Sequence, residues 1–198
     1  MSDTKSLHTE LTIQKAALRR QIRELLASIT KAQRIAASAK TCALLKSQIL
    51  WKEAESILFF APLPEELDVW PLLSEALEAG KVAALPFFSA VSNSYVACQV
   101  KDLARDLKVG QFGIREPADR CEKLPLKRLD LILVPGVAFD WSGRRLGRGR
   151  GFYDRLLAAI SGIRCGVAFD EQIVGELPAE PHDARVNCIL TPTRWIKL

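Results

Sequence analysis

Residues 129–157 read LDLILVPGVAFDWSGRRLGRGRGFYDRLL, and this segment indicates the fold class. Its first six residues are nearly all apolar and form the strongest candidate for a buried strand in the chain. Pro135 and Gly136 end that strand, a glycine-containing loop follows over 143–151, and an apolar helix begins near Phe152. In open α/β sheets, ligands bind beyond the carboxyl ends of the strands, so we expect a binding site at this loop.

Strands and helices alternate on both sides of this segment. The predicted strands are 56–60, 82–85, 95–100, 129–134, 165–168 and 188–190, and the helices among them are 69–79 and 152–160. Helical crossovers between strands imply a largely parallel sheet that is covered on both faces. We therefore predict an α/β fold, with one three-layer α/β/α domain over residues 1–198 and a mostly parallel central sheet.

Two helices are predicted before the first strand. Residues 11–29 carry an apolar face made of Leu11, Leu18, Ile22, Leu25, Leu26 and Ile29. Thr30 and Gln33 form a capping box for a second helix that extends to about residue 49. The region 86–128 contains several prolines and glycines and is the least regular, so we expect an inserted loop over one edge of the sheet.

Composition excludes several protein classes. Charged residues interrupt every apolar run before it reaches the roughly 18 residues of a membrane helix, and no secretory signal is visible. The expected location is therefore the cytoplasm, where the five widely spaced cysteines would be reduced. Two histidines and no CxxC pair give no zinc pattern. A net charge of +5 is compatible with nucleic acid, phosphorylated small molecules or no charged partner.

The loop after the central strand combines glycines with arginines. Gly147, Gly149 and Gly151 alternate with Arg148 and Arg150, so backbone N–H groups can approach an anion closely and guanidinium groups add charge. The following helix contributes the positive end of its dipole. Neither the P-loop pattern nor GxGxxG is present. Glycine and arginine alone leave three interpretations open: a polyphosphate site, a solvated arginine loop, or a contact to nucleic acid.

A longer stretch of sequence around this loop favours the polyphosphate site among these three interpretations. The sequence RLGRGRGFYD, preceded by LILVPGVAFD, resembles the signature of the 5-formyltetrahydrofolate cyclo-ligase family, also called 5,10-methenyltetrahydrofolate synthetases. A KxxxR near the start, an acidic pair after the first strand and a late HD extend the resemblance, whereas 86–109 matches poorly. Phe152 replaces a frequent Tyr of the family and Arg150 a frequent Lys.

The resemblance implies specific roles for residues of this chain. It places ATP near Lys15, Arg19, Arg145, Gly147, Arg148, Gly149, Arg150, Gly151, Phe152 and Tyr153. It assigns the folate to Glu66, Phe112 and Tyr153, and Mg²⁺ to Asp154 and Asp183. The helical pattern supports the first pair independently, because Lys15 and Arg19 lie one turn apart beside the apolar face. Without the resemblance, Glu66 and Asp154 also suit acids at helix starts, and Asp183 suits a turn.

The implied reaction is the ATP-dependent cyclisation of 5-formyltetrahydrofolate to 5,10-methenyltetrahydrofolate. Both nucleophiles would belong to the substrate, so we assign no acid–base residue and expect the protein to position groups and neutralise charge. A monomer that binds two small molecules, and neither nucleic acid nor membrane, is expected. The alternatives are a nucleic-acid-binding module, a sugar-phosphate isomerase or acyl-transfer enzyme on a similar sheet, and a structural protein.

Overall fold

The computed structural model describes residues 2–110, 113–149, 151–178, 180 and 184–198, with the backbone alone for 2–8 and Phe152. Within these residues the chain forms five α-helices: α1 Ser2–Ala27, α2 Lys31–Ser47, α3 Ile49–Glu53, α4 Trp70–Glu78 and α5 Phe152–Ala158. The strands are β1 Ser56–Leu58, β2 Val82–Ser89, β3 Ser94–Val100, β4 Leu107–Val109, β5 Arg115–Pro117, β6 Lys123–Leu124, β7 Leu131–Pro135, β8 Ala138–Asp140, β9 Arg145–Leu146, β10 Ile163–Val167, β11 Ile173–Val174, β12 Cys188–Leu190 and β13 Trp195–Lys197.

The central sheet has eight strands in the order β13-β12-β10-β7-β1-β2-β3-β6. The five inner strands, β12 to β2, are parallel, and the outer strands β13, β3 and β6 pair antiparallel. β7 occupies the middle, and all its residues up to Val134 are buried. The predicted α/β fold with a mostly parallel sheet is therefore confirmed.

Alternate residues of the inner strands point to two separate cores. Ile57, Leu131 and Leu133 face a large cluster with side chains of α1, α2, α3 and α4. Leu58 and Ile132 face a smaller cluster with Leu156 and Leu157 of α5, next to a three-stranded sheet of β11, β8 and β9. Burial on both faces explains why 129–134 is a nearly continuous apolar run.

The two predicted N-terminal helices are present, but α1 begins earlier, at Ser2, and the short helix α3 was not predicted. Thr30 accepts from the Gln33 backbone N–H and the Gln33 side chain accepts from the Thr30 N–H, so the capping box is confirmed. Leu25 was expected in the apolar face of α1 but is 43% exposed. The buried face is centred on Ile22 and Leu26, and Leu25 lies about 80° around the helix from that centre.

The expectation of an inserted loop over 86–128 is wrong, because β2 extends to Ser89 and the short strands β4, β5 and β6 accompany β3, the strand predicted at 95–100. β2 and β3 form a long hairpin, β6 extends the sheet beyond β3, and β4 pairs with β5. Pro86 is tolerated within β2 because β1 pairs only as far as Ala84, which leaves that side of Pro86 without a ladder partner. No helix of the described residues is long and apolar enough to cross a membrane.

Candidate active site

A cleft of about 560 Å³ opens beyond the carboxyl ends of the inner strands. Its floor includes Phe60 after β1 and Pro135 and Gly136 at the end of β7. Glu65 and Glu66 line one part of the wall, and further lining comes from the glycine–arginine loop and the β2–β3 hairpin, namely Arg145, Gly147, Arg148, Gly149, Gly151, Phe88 and Tyr95. The site therefore lies at the sheet edge expected from the sequence.

The glycines of the loop permit close approaches and unusual backbone angles. A Cβ on Gly147 would lie 2.9 Å from Arg145 Nη1, so a side chain there would displace that guanidinium group. Gly149 has φ +100°, a conformation that L-residues rarely adopt. These two positions keep the loop backbone against the arginines and leave it open toward the cleft.

Arg145 is the most buried cation of the site, with 4% of its side chain exposed. Its Nη2 donates to Asp154 Oδ1 at 2.6 Å and its Nη1 to the Pro135 carbonyl at 3.2 Å. The guanidinium carbon lies 5.7 Å from the ring centroid of Tyr153. Arg145 therefore joins the end of β7 to the first turn of α5, beside the cleft.

Helix α1 brings a second arginine to the same loop. Arg19 Nε donates to the Gly147 carbonyl at 2.8 Å, and its guanidinium group lies over Gly149. Lys15, one turn earlier, forms an ion pair with Glu180 at 2.9 Å, and both side chains are largely buried. The structure thus places Arg19 on the loop and gives Lys15 a carboxylate partner from the C-terminal part of the chain.

Two adjacent carboxylates face the loop from the segment after β1. Arg148 Nη2 lies 3.0 Å from Glu65 Oε1 and 3.0 Å from Glu66 Oε1. Glu66 is the less exposed of the two, with 15% of its side chain accessible against 45% for Glu65. Burial raises the pKa of Glu66, and hydrogen bonds from the Leu63 N–H and Arg148 oppose that rise. The sequence also allowed Glu66 to be an acid at the start of the following helix. In the structure Asp68 has that position, because it accepts from the Trp70 N–H at the start of α4.

Aromatic rings line another part of the cleft and form what we call the aromatic wall. The Phe88 and Tyr95 rings meet edge to face at 5.9 Å, and Tyr95 lies 5.7 Å from Tyr153. Burial raises the pKa of Tyr153 far above its ordinary value, so its hydroxyl keeps its proton. The wall can stack on a flat ring system, and the carboxylates can accept hydrogen bonds from ring N–H groups.

Asp154 is the described carboxylate that the resemblance links to magnesium. One of its oxygens accepts from Arg145, and the described residues contain no group of three or more metal-ligating side chains. Mg²⁺ takes oxygen ligands, keeps several waters and is often held by one or two carboxylates together with substrate phosphates. A single carboxylate among cations fits a metal ion that arrives with a polyphosphate.

Several predicted residues lie outside the described part of the chain. Phe112, Arg150 and Asp183 are among them, as is the side chain of Phe152. The structure also shows residues that the sequence did not single out. Phe88 and Tyr95 belong to a hairpin in the poorly matching region, and Glu180 pairs with Lys15 across 165 positions, so no local pattern indicates either contact.

Comparisons with known proteins agree with this geometry. A family model described as the 5-formyltetrahydrofolate cyclo-ligase family matches residues 12–192. The 5-formyltetrahydrofolate cyclo-ligase of Escherichia coli K12 is 35% identical over 145 residues, which cover 71% of this chain and 80% of the relative. That of Haemophilus influenzae is 31% identical over 183 residues, covering 90% and 98%.

Among solved structures, 5,10-methenyltetrahydrofolate synthetase of Aquifex aeolicus is similar to this chain with a TM-score of 0.83 and 34% identity. The similarity covers 93% of this chain and 92% of that one. The range 12–192 of the family model includes the inner strands of the sheet, the glycine–arginine loop and the segment after β1. By family model, relatives and fold, the chain belongs to the 5-formyltetrahydrofolate cyclo-ligase family of enzymes.

Proposed function

We propose that this protein converts 5-formyltetrahydrofolate and ATP into 5,10-methenyltetrahydrofolate, ADP and phosphate. The observation that carries the proposal is one cleft that is lined by the cationic glycine–arginine loop, a largely buried carboxylate and an aromatic wall. The first feature suits a polyphosphate, and the other two suit a reduced pterin with ring N–H donors. Family membership supports the same pair of substrates.

The chemistry explains why charge and position matter more than a protein nucleophile. The formyl oxygen is a poor leaving group, and transfer of the γ-phosphoryl group to it releases ADP and leaves an iminium phosphate. The N10 lone pair of the folate then attacks the formyl carbon, the C–O bond breaks, phosphate departs and N10 loses its proton. Every bond that forms or breaks belongs to the substrates, so the protein contributes orientation and electrostatic stabilisation.

The cations would bind and orient the phosphates. Arg145 and Arg148 line the cleft, and Arg19 supports the glycine loop from α1. Each of these three arginines already has a protein acceptor, so its side chain is held in place before ATP binds. Lys15 is held in the same way by Glu180. Pre-positioned charge lowers the entropy lost on ordering these long side chains.

The folate would bind between Glu66 and the aromatic wall. Glu66 lies beside Arg148 of the glycine–arginine loop. A pterin that is hydrogen-bonded to Glu66 would therefore have its formyl group close to this loop. Tyr153 also lines this cleft, and its hydroxyl is neutral because it keeps its proton. Mg²⁺, when bound with ATP, neutralises phosphate charge, and Asp154 is the described residue that would hold it.

The experiment follows the methenyl product, which is conjugated and absorbs in the near ultraviolet, whereas the substrate does not. Purified protein with 5-formyltetrahydrofolate should give rising absorbance only when ATP and Mg²⁺ are both present. No rise from folded protein under those conditions would contradict the proposal.

A variant pair tests the cation assignment within the same assay. Lys15→Ala should raise the KM for ATP about tenfold because it removes a cation paired near the loop, with the KM for the folate little changed. Lys40→Ala, on the exposed face of α2, is the matched control. Equal ATP KM values for Lys15→Ala and the control would exclude Lys15 from the nucleotide site.

A further inference from the structure

One face of α2 binds the backbone of the segment that carries the two carboxylates. Arg34, Ser38 and Cys42 lie four residues apart, so they form one row along the helix. Arg34 Nη1 donates to the Glu65 carbonyl, the Asp68 N–H donates to Ser38 Oγ at 2.9 Å, and Cys42 Sγ contacts the Asp68 carbonyl at 3.5 Å. We call these three residues the α2 row.

Arg34 also ties this segment to the end of α1. Its Nη2 donates to the Leu26 and Ile29 carbonyls at 3.2 and 3.3 Å, and these belong to the last turn of α1 and its connection to α2. Carbonyls at a helix end lack intrahelical partners, and a cation there complements the helix dipole. The guanidinium group stacks 5.4 Å from the Phe169 ring centroid. A planar group with several donors is required to make these contacts together.

Ser38 and Cys42 complete the attachment in a buried setting. Ser38 is 6% exposed and its hydroxyl also donates to the Arg34 carbonyl at 2.8 Å. Burial raises the pKa of Cys42 to about 11, so the thiol keeps the proton that it offers to the Asp68 carbonyl. Backbone atoms of 65–68 are therefore held at both ends, while the side chains of Glu65 and Glu66 remain directed at Arg148.

We propose that Arg34 and Ser38 are positioning residues for the reaction, acting through the backbone of 65–68 to hold Glu65 and Glu66 against Arg148. None of the described residues that line the cleft belongs to the α2 row, and the hydrogen bonds to 65–68 are the row's most direct connection to the folate site. The kinetic part of the proposal rests on the proposed function. A displacement of a binding carboxylate by a fraction of its hydrogen-bond length weakens the contacts that it makes.

The kinetic test compares Arg34→Met with Arg34→Lys. Arg34→Met removes the donors and should raise the KM for 5-formyltetrahydrofolate about tenfold, with the KM for ATP within about twofold of wild type. Arg34→Lys keeps one donor to the Glu65 carbonyl and should recover part of the loss. Arg23→Met, on the exposed face of α1, is the matched control and should behave as wild type.

Two results would overturn the proposal. One is an unchanged KM for the folate in Arg34→Met. The other is an equal rise in both KM values together with a fall in unfolding temperature, since that pattern marks a general structural role. If Arg34→Met does not fold, Ser38→Ala replaces it with the same expected split between the two KM values, because it removes the acceptor for the Asp68 N–H and one donor to the Arg34 carbonyl but keeps the Arg34 side chain.

Hydrogen exchange separates this proposal from the proposed function, because it needs no turnover. The Leu63 N–H binds Glu66 Oε2 and the Glu66 N–H binds the Leu63 carbonyl. In Arg34→Met these two amides should exchange about tenfold faster, while amides of β7 keep their wild-type rates. Unchanged exchange at Leu63 and Glu66 would overturn the positioning role even if the wild-type enzyme proved inactive with the folate.

Discussion

At the residue scale, the site is a set of cations whose partners are carboxylates of the same chain. Arg145 pairs with Asp154, Arg148 with Glu65 and Glu66, and Lys15 with Glu180. A polyphosphate must compete with these carboxylates, or share the cations with them, when it enters. The spacing of glycine and arginine indicates an anion site, but it does not specify every carboxylate partner, because the partners of Arg148 and Lys15 lie in distant parts of the chain.

Glu66 gives a prediction that separates stability from activity. Its pKa is raised above the usual value near 4.5, so the folded protein holds this proton more tightly than the unfolded chain does. The stability that protonated Glu66 contributes is present below the unfolded pKa and is lost as pH rises through the folded pKa. The side chain in Glu66→Gln is neutral at every pH, so this variant should not show that fall in the free energy of unfolding. Its kcat/KM for the folate should fall at least about tenfold.

The measurement is the free energy of unfolding from acid to neutral pH, together with steady-state kinetics. Glu65→Gln is the matched control, because Glu65 contacts the same Arg148 nitrogen at the same distance but is about half exposed. Because the Glu65 charge is one of the smaller causes of the raised Glu66 pKa, Glu65→Gln should reduce the pH dependence of stability only in part. A Glu66→Gln variant with wild-type kinetics and the wild-type pH dependence would contradict the role given to this carboxylate.

At the scale of elements, local sequence rules predict some features well. The capping box of α2, the central strand β7 and the glycine loop all follow from residues close in sequence. The β2–β3 hairpin follows only in part, because strands at 82–85 and 95–100 are predicted but Pro86 obscures the extension of β2 to Ser89 and its pairing with β3. Phe88 lies in that extension, so its contact with Tyr95 in the aromatic wall could not be predicted.

The glycine loop provides a test at this scale. Gly149→Ala places a Cβ at φ +100°, which costs about 1–3 kcal/mol of backbone strain. The loop should relax away from the cleft, and the KM for ATP should rise about tenfold. Gly175→Ala is the control, because an added Cβ there meets no described atom within 4 Å and φ is not positive.

The measurements are the KM for ATP and the free energy of unfolding in urea, compared between Gly149→Ala and Gly175→Ala. The added Cβ of Gly149→Ala would contact the Arg19 guanidinium group at an ordinary 3.6 Å, so its effect comes from the backbone angle and not from a clash. Identical ATP KM values for the two variants would mean that the left-handed conformation of Gly149 has no part in nucleotide binding.

At the scale of the whole molecule, a parallel sheet collects distant segments at one edge. The carboxyl ends of β1 and β7 bring the acidic segment and the glycine loop together, and α1 reaches the same edge through Arg19. Alternating strands and helices predict this arrangement, since crossover connections align the strand ends. The long-range ion pairs and the antiparallel edge strands depend on tertiary packing that no sequence pattern shows.

The central claim is that this cleft transfers a phosphoryl group to the formyl oxygen of the folate. The most direct measurement uses 5-formyltetrahydrofolate labelled with ¹⁸O in the formyl group, unlabelled ATP and Mg²⁺, and analyses the released phosphate by mass spectrometry. The proposed chemistry predicts one ¹⁸O atom in each phosphate for every methenyl product formed. Unlabelled phosphate, with the ¹⁸O recovered in water, would contradict it.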